Sequence, residues 1–159
     1  MPLSSDVGQQ KTSMARLDTK LESEAAEFLV LGQLLPARIP TYKTYTNMQG
    51  YDLVATNPDT NRSARVQVKS RWRTGAVGFL IKNFDCEFVV AVRLNRGKKG
   101  GGAQVLSPEY FVLPVKVVKS AHQPSGWSQV YFRHIPNLEK YRNNWQLISE
   151  FLASKGPPK

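Results

Sequence analysis

Gly50-Tyr51-Asp52-Leu53-Val54-Ala55-Thr56 and Ser63-Ala64-Arg65-Val66-Gln67-Val68-Lys69-Ser70 are the two stretches on which the fold turns. Both alternate apolar with polar residues as half-buried strands do, and Asn57-Pro58-Asp59-Thr60-Asn61 between them favours a tight reversal. Centring that turn between Asp59 and Thr60 sets Leu53 against Val66, Tyr51 against Val68 and Asp52 against Gln67. Directly opposed residues share a face of a sheet. One face is then a core of Tyr51, Leu53, Ala55, Val66 and Val68, and the other carries Asp52, Gln67 and Lys69, with Val54 and Arg65 further along. A slip of one residue would bury Gln67 and Lys69, so pattern and turn chemistry agree on the register.

The polar face has a chemical logic. A carboxylate beside an amide oxygen offers hard oxygen ligands of the kind Mg²⁺ (or Mn²⁺) takes while keeping several waters. One such water can serve as a nucleophile on a phosphodiester. A lysine two positions along the same face can orient that water or offset charge developing on the phosphate. Three polar residues on a hairpin are by themselves an ordinary solvated face; the surroundings give them weight.

Upstream, Thr19-Lys20-Leu21-Glu22 has the form of a capping box opening a helix, with Leu21, Ala25, Phe28, Leu29, Gly32 and Leu35 as its apolar face and Pro36 as its stop. Residues 1–18 are polar and aperiodic and read as a flexible tail, leaving 19–155 as one domain. Thr41–Thr46 is a weak strand and Asn47–Gly50 a turn. Downstream, Val77–Ile81 and Glu87–Leu94 read as strands, the second apolar enough to be central. Asn95–Gly102 (NRGKKGGG) is a basic loop, Tyr110–Val118 an apolar segment of open type broken by Pro114, Gln129–Ile135 a last strand and Tyr141–Ala153 a closing helix.

The chain has 159 residues and a formal net charge of +10. That length suits one domain with a real core, and that charge attracts polyanions. No segment approaches the ~18 consecutive apolar residues of a membrane span. The absence of a leader pattern at the N-terminus and the single cysteine, Cys86, fit a cytoplasmic protein.

With the helix, the strand order and the Asp52…Gln67-x-Lys69 spacing together, residues 19–95 resemble the PD-(D/E)xK nuclease superfamily. The resemblance implies a restriction-endonuclease-like α/β core, a mixed central sheet flanked by helices. It implies Asp52 and Gln67 as metal ligands, Gln67 standing where Asp or Glu is usual, and Lys69 as the catalytic lysine. Glu27 matches the helical glutamate that many members add, with Glu24 in reserve and Glu22 assigned to the cap. The superfamily's helix after the hairpin has no counterpart in Val77–Leu94 and is expected around Val115–His122 or not at all.

Arg65, Arg71 and Arg73 flank the expected site, Ser70 and Trp72 follow the lysine, and Arg96, Lys98 and Lys99 crowd the basic loop; these are the candidates for DNA contact. The loop lacks the spacing of a nucleotide-binding loop. His122 and His134 fit no metal spacing, and Cys86 reads as a buried small residue. Trp127 and Trp145 read as core or interface anchors, and Asp85 as a turn residue. The leading expectation is a Mg²⁺-dependent DNA endonuclease acting as a homodimer or larger homo-oligomer, because one site cuts one strand. A nucleic-acid-binding domain without effective catalysis is the alternative, and a basic protein–protein adaptor the third.

Overall fold

A long helix, α1 (Asp6–Leu34), leads into the sheet. The computed structural model describes residues 6–45 and 50–155, with residues 6–17 as backbone only. Strands β1 (Thr41–Lys43), β2 (Leu53–Asn57), β3 (Arg62–Arg71), β4 (Gly78–Leu80), β5 (Phe88–Arg93) and β6 (Glu109–Pro114) follow. The chain closes with α2 (Val115–Ala121), β7 (His122–Gln123), β8 (Gln129–Tyr131), two 3-10 turns and α3 (Gln146–Ala153).

The central sheet has five strands in the order β1-β2-β3-β5-β6, mixed because β3 and β5 run parallel while the other neighbours are antiparallel. β4, β8 and β7 form a separate three-stranded sheet. On one face α1 and α3 cover Leu53, Val66, Val90 and Val112 with Ala26, Val30, Ile148 and Leu152. On the other, Phe79, Val118, Ala121 and Val130 from the small sheet and α2 cover Val89, Ala91, Phe111 and Leu113. β5 is buried on both faces, which explains its unbroken apolar sequence.

The β2–β3 hairpin has the expected register, Leu53 against Val66 through Asn57 against Arg62. The Asn57 side chain accepts from the Asp59 N–H and Asn61 takes a left-handed φ of 56°, so the turn residues do the work their types favour. Tyr51 departs from expectation. β2 starts only at Leu53, and Tyr51 packs against the second core cluster, beyond a bend at Asp52.

Other expectations need correction. α1 starts at Asp6, so residues 6–18 are helical backbone instead of tail and Thr19 lies inside the helix, its carbonyl accepting from the Ser23 hydroxyl. Good helix formers upstream (Gln9, Gln10, Lys11, Met14, Ala15, Arg16 and Leu17) override the capping signal. The packed stripe is Ala26, Val30 and Leu34. It lies one residue along from the bulkier apolar stripe, about 100° round the helix. Leu21 (58% exposed), Phe28 (49%), Leu29 (37%) and Leu35 (48%) therefore face outward. The strand expected over Gln129–Ile135 ends at Tyr131 and tightens into a 3-10 turn, and the closing helix begins at Gln146. Tyr110–Val118 divides at Pro114, which ends β6 and opens α2 without needing the amide N–H it lacks. α2 is thus the helix expected near Val115–His122. Trp127 is exposed, while Trp145 packs on Tyr110 at 5.7 Å. The expected turn at Asn47–Gly50 lies, apart from Gly50, outside the described residues.

Candidate metal and nucleic-acid site

Asp52 occupies the point where β1, β2 and β3 diverge. Its carbonyl accepts from both the N–H and the hydroxyl of Thr44, at 2.9 and 3.0 Å. Its N–H donates to the Val66 carbonyl (2.9 Å), and its Oδ2 accepts from the Val68 N–H (2.8 Å). The Asp52 side chain thus completes the ladder where the β2 backbone bends away, so that its backbone N–H and its carboxylate together bond β3 on either side of Gln67. Gly50 makes the bend possible. It has φ +91°, and an added Cβ would stand 2.9 Å from the Cβ of Asp85 and 3.0 Å from its carbonyl oxygen.

Gln67 is 8% exposed. Among the described residues its Oε1 is the one buried side-chain polar atom without a hydrogen-bond partner. Such an orphan costs about 1–3 kcal/mol and asks for an explanation. A hard cation is one, since an amide oxygen with free lone pairs is a ligand of the type Mg²⁺ and Mn²⁺ take. Among the described residues no group of three or more His, Cys, Asp or Glu side chains is placed to hold a metal ion. The oxygens that could hold such an ion are two, the Asp52 carboxylate and the Gln67 amide, which suit a cation that keeps several waters.

Electrostatics tie further groups to Asp52. Burial raises its carboxyl above the ordinary aspartate range, against the Val68 N–H and the charges of Lys69 and Lys43, which pull it down. Glu27, on α1, is also raised. Burial is the main cause; a hydrogen bond from Lys43 opposes it, and the charge of Asp52 adds to it. Lys43 was not among the residues expected at the site. Its Nζ lies 2.7 Å from Glu27 Oε2 and 3.5 Å from Glu24 Oε1. Of the expected residues, Asp52, Lys69 and Glu27 thus share one electrostatic cluster, with Gln67 beside Asp52 on β3.

The basic residues separate into two groups. Because β3 and β5 are parallel, their C-terminal ends emerge together, bringing residues 70–73 next to residues 98 and 99. Ser70, Arg71, Arg73, Lys98 and Lys99 line one groove of about 470 Å³ with Thr19, Glu22, Ser23 and Trp72. Lys99 reaches Glu22 at 3.6 Å and sits 5.9 Å from the Trp72 ring centre. Arg96 is exposed, its backbone bridged to Val105 at the base of the hairpin tip. Arg65 has a different task. Its guanidinium donates to Asp85 at 2.7 Å and to Glu87 at 2.8 Å, crosslinking β3 to the segment before β5. Asp85 also donates its N–H to the Asn83 side chain, so it is both turn residue and ion-pair partner.

Cys86 is buried, which pushes its thiol up to about 11. His122 hydrogen-bonds the Ser128 hydroxyl at 2.9 Å and stacks edge-on against Phe84; His134 stacks against Tyr131. Neither histidine approaches Asp52 by any of these contacts.

The fold resembles that of a bacterial homing endonuclease. The solved structure of that enzyme, I-Ssp6803I, matches with a TM-score of 0.56 over 85% of this chain and 94% of that one, at 23% sequence identity. No protein-family model and no curated protein sequence matches the chain. The likeness is one of fold: a mixed five-stranded sheet with flanking helices. Among the described residues no helix is long and apolar enough to cross a membrane.

Proposed function

We propose that the chain is a metal-dependent DNA endonuclease of the PD-(D/E)xK type, working through Asp52, Gln67 and Lys69. The observation that carries the reading is Asp52, held to β3 by its backbone N–H on Val66 and by its carboxylate on the Val68 N–H, flanking Gln67, whose buried amide oxygen lacks a partner. The fold it shares with an enzyme described as a homing endonuclease supports the same substrate class.

In this reading Asp52 and Gln67 hold Mg²⁺ or Mn²⁺, and Glu27 joins them when it is not paired with Lys43. The cation, when bound, supplies an acidified water and neutralises charge on the phosphate. Lys69, whose charge already acts on Asp52, orients that water. Ser70, Arg71, Arg73, Lys98 and Lys99 hold the DNA backbone along their groove, with Arg96 at its edge. Arg65 acts by bracing β3, not by touching DNA. One site cuts one strand, so the working unit is a homodimer or larger, and the outward stripe of α1 is an exposed apolar surface it could use.

The test is a Mg²⁺-dependent nicking assay on supercoiled DNA with Lys69→Ala beside the parent protein. Activity that depends on both the ion and Lys69 is expected; equal cleavage by both proteins refutes the assignment. A DNA-binding domain without effective catalysis is the second reading. It is favoured by the neutral Gln67 and by Glu27 being engaged by Lys43. Salt-sensitive DNA binding with no calorimetric signal for Mg²⁺ or Mn²⁺ would establish it.

A further inference from the structure

Lys43 sits on an edge strand, where a lysine normally reaches into water, yet its side chain is only 8% exposed. Its ammonium stands over the rings of Phe28 and Tyr45, 5.5 and 5.1 Å from their centres. Glu24 and Glu27, three residues apart on α1, stand on one helix face and meet it from above. Across the ladder Lys43 pairs with Leu53, next to Asp52, and the following residue, Thr44, holds the Asp52 carbonyl. Two carboxylates, Glu24 and Glu27, therefore pair with one ammonium, and its charge also reaches a third, Asp52.

The Lys43 ion pairs fasten α1 to β1, and they do so beside another acidic group. The carboxylates of Glu27 and Asp52 repel one another across the same space, and burial weakens the screening between them. Something positive has to stand near both. The ammonium of Lys43 does this in the metal-free protein, and a divalent cation bound at Asp52 and Gln67 would do it instead.

We propose that Lys43 is a resident cation of the site: it holds Glu27 and Glu24 in the metal-free protein and competes with the divalent ion for the acidic side of the cluster. The inference rests on the metal-dependent reading above. Full binding requires Glu27 to exchange Lys43 for the metal, so the lysine sets the ion concentration at which the site loads. The neutral Gln67 and the resident Lys43 act in the same direction, both weakening the affinity that Asp52 and Glu27 alone would give.

The probe is Mn²⁺ alone, titrated calorimetrically into the full chain. Lys43→Met keeps the length of the stem and removes the charge. Its Kd for Mn²⁺ should fall roughly tenfold, the effect of deleting one like charge at a partly buried site. Lys43→Arg keeps the charge and should stay close to the parent. Thermal unfolding gives an independent reading: Lys43→Met should melt below the parent in EDTA and gain more than the parent from saturating Mn²⁺. Equal or weaker Mn²⁺ binding by Lys43→Met overturns the role of Lys43 while leaving the metal site standing. Absence of Mn²⁺ binding in both proteins, with and without DNA, overturns the metal-dependent reading and this inference with it. If Lys43→Met does not fold, Lys43→Gln, which is neutral but can still hydrogen-bond Glu27, takes its place: the same fall in the Mn²⁺ Kd is expected, and equal or weaker binding overturns the role of Lys43.

Discussion

Replacing Gln67 with Met should make the protein more stable and less able to bind metal. The Gln67 side chain is buried and its Oε1 has no donor, so the folded state carries a desolvation cost of about 1–3 kcal/mol. Met has nearly the same length and volume and no oxygen to desolvate. Reshaping a packed position by a near-isosteric swap costs under about 1.5 kcal/mol, which leaves a net gain on the order of 1 kcal/mol. For a chain of this size that raises Tm by roughly 2–4 °C. Urea unfolding in EDTA should show a higher midpoint at an unchanged slope, the mark of a change in stability without a change in the surface exposed. The same variant should lose its Mn²⁺ calorimetric signal. A Tm in EDTA equal to or below that of the parent would refute the reasoning, because the amide oxygen would then be satisfied and would have no vacancy for a cation.

The groove formed by residues 70–73, 98 and 99 predicts that Arg71→Ala and Arg73→Ala each weaken DNA binding uniformly across sequences and lower the salt slope by about 0.9 per lost phosphate contact; an unchanged slope removes that residue from the interface. The outward apolar stripe of α1 predicts that Leu21→Glu lowers the sedimenting mass to that of a monomer while leaving the circular dichroism spectrum intact, and an unchanged mass would show that the stripe is not the interface. Glu87 predicts a pH effect. Burial raises its carboxyl, but hydrogen bonds and charge from Arg65 outweigh that and hold it below the ordinary glutamate value of 4.5. A depressed folded value means stability present above about pH 4.5 and lost as pH falls through the depressed value. Glu87→Gln should therefore lower the urea midpoint at neutral pH and flatten its decline in acid; parallel pH profiles for the two proteins would contradict the pairing.

The hairpin register was legible because two independent signals agreed on it, alternation in both strands and turn-forming residues. The expectation that only a slip would bury Gln67 did not hold, since Gln67 is buried in the actual register under residues that come from beyond the hairpin. Asp52 and Gln67 follow from that register, although the bend at Asp52 replaces their direct pairing with a side-chain bond to the backbone. The face of α1 was not legible. Periodicity finds the stripe with the most apolar bulk, whereas the sheet accepts the smaller stripe of Ala26, Val30 and Leu34, which puts Glu24 and Glu27 over β1. Lys43 escaped because nothing around it on a short edge strand marks it. Its environment comes from α1, and the one local signal was the pair of helical glutamates three residues apart, two carboxylates on one face in need of a cation. The ion pairs of Arg65 were hidden for a related reason: its basic character was visible, but its partners Asp85 and Glu87 arrive through the parallel pairing of β3 with β5, which no local pattern announces. The change of structure at Pro114 was marked by the proline, but an apolar run does not say whether it continues as strand or helix.

The central claim is that Asp52 and Gln67 share a divalent cation. Anomalous diffraction at the manganese edge from crystals soaked in Mn²⁺ tests it most directly. A peak is expected within coordination distance of an Asp52 carboxylate oxygen and Gln67 Oε1. A peak elsewhere, with Gln67 Oε1 still unpartnered, would contradict it.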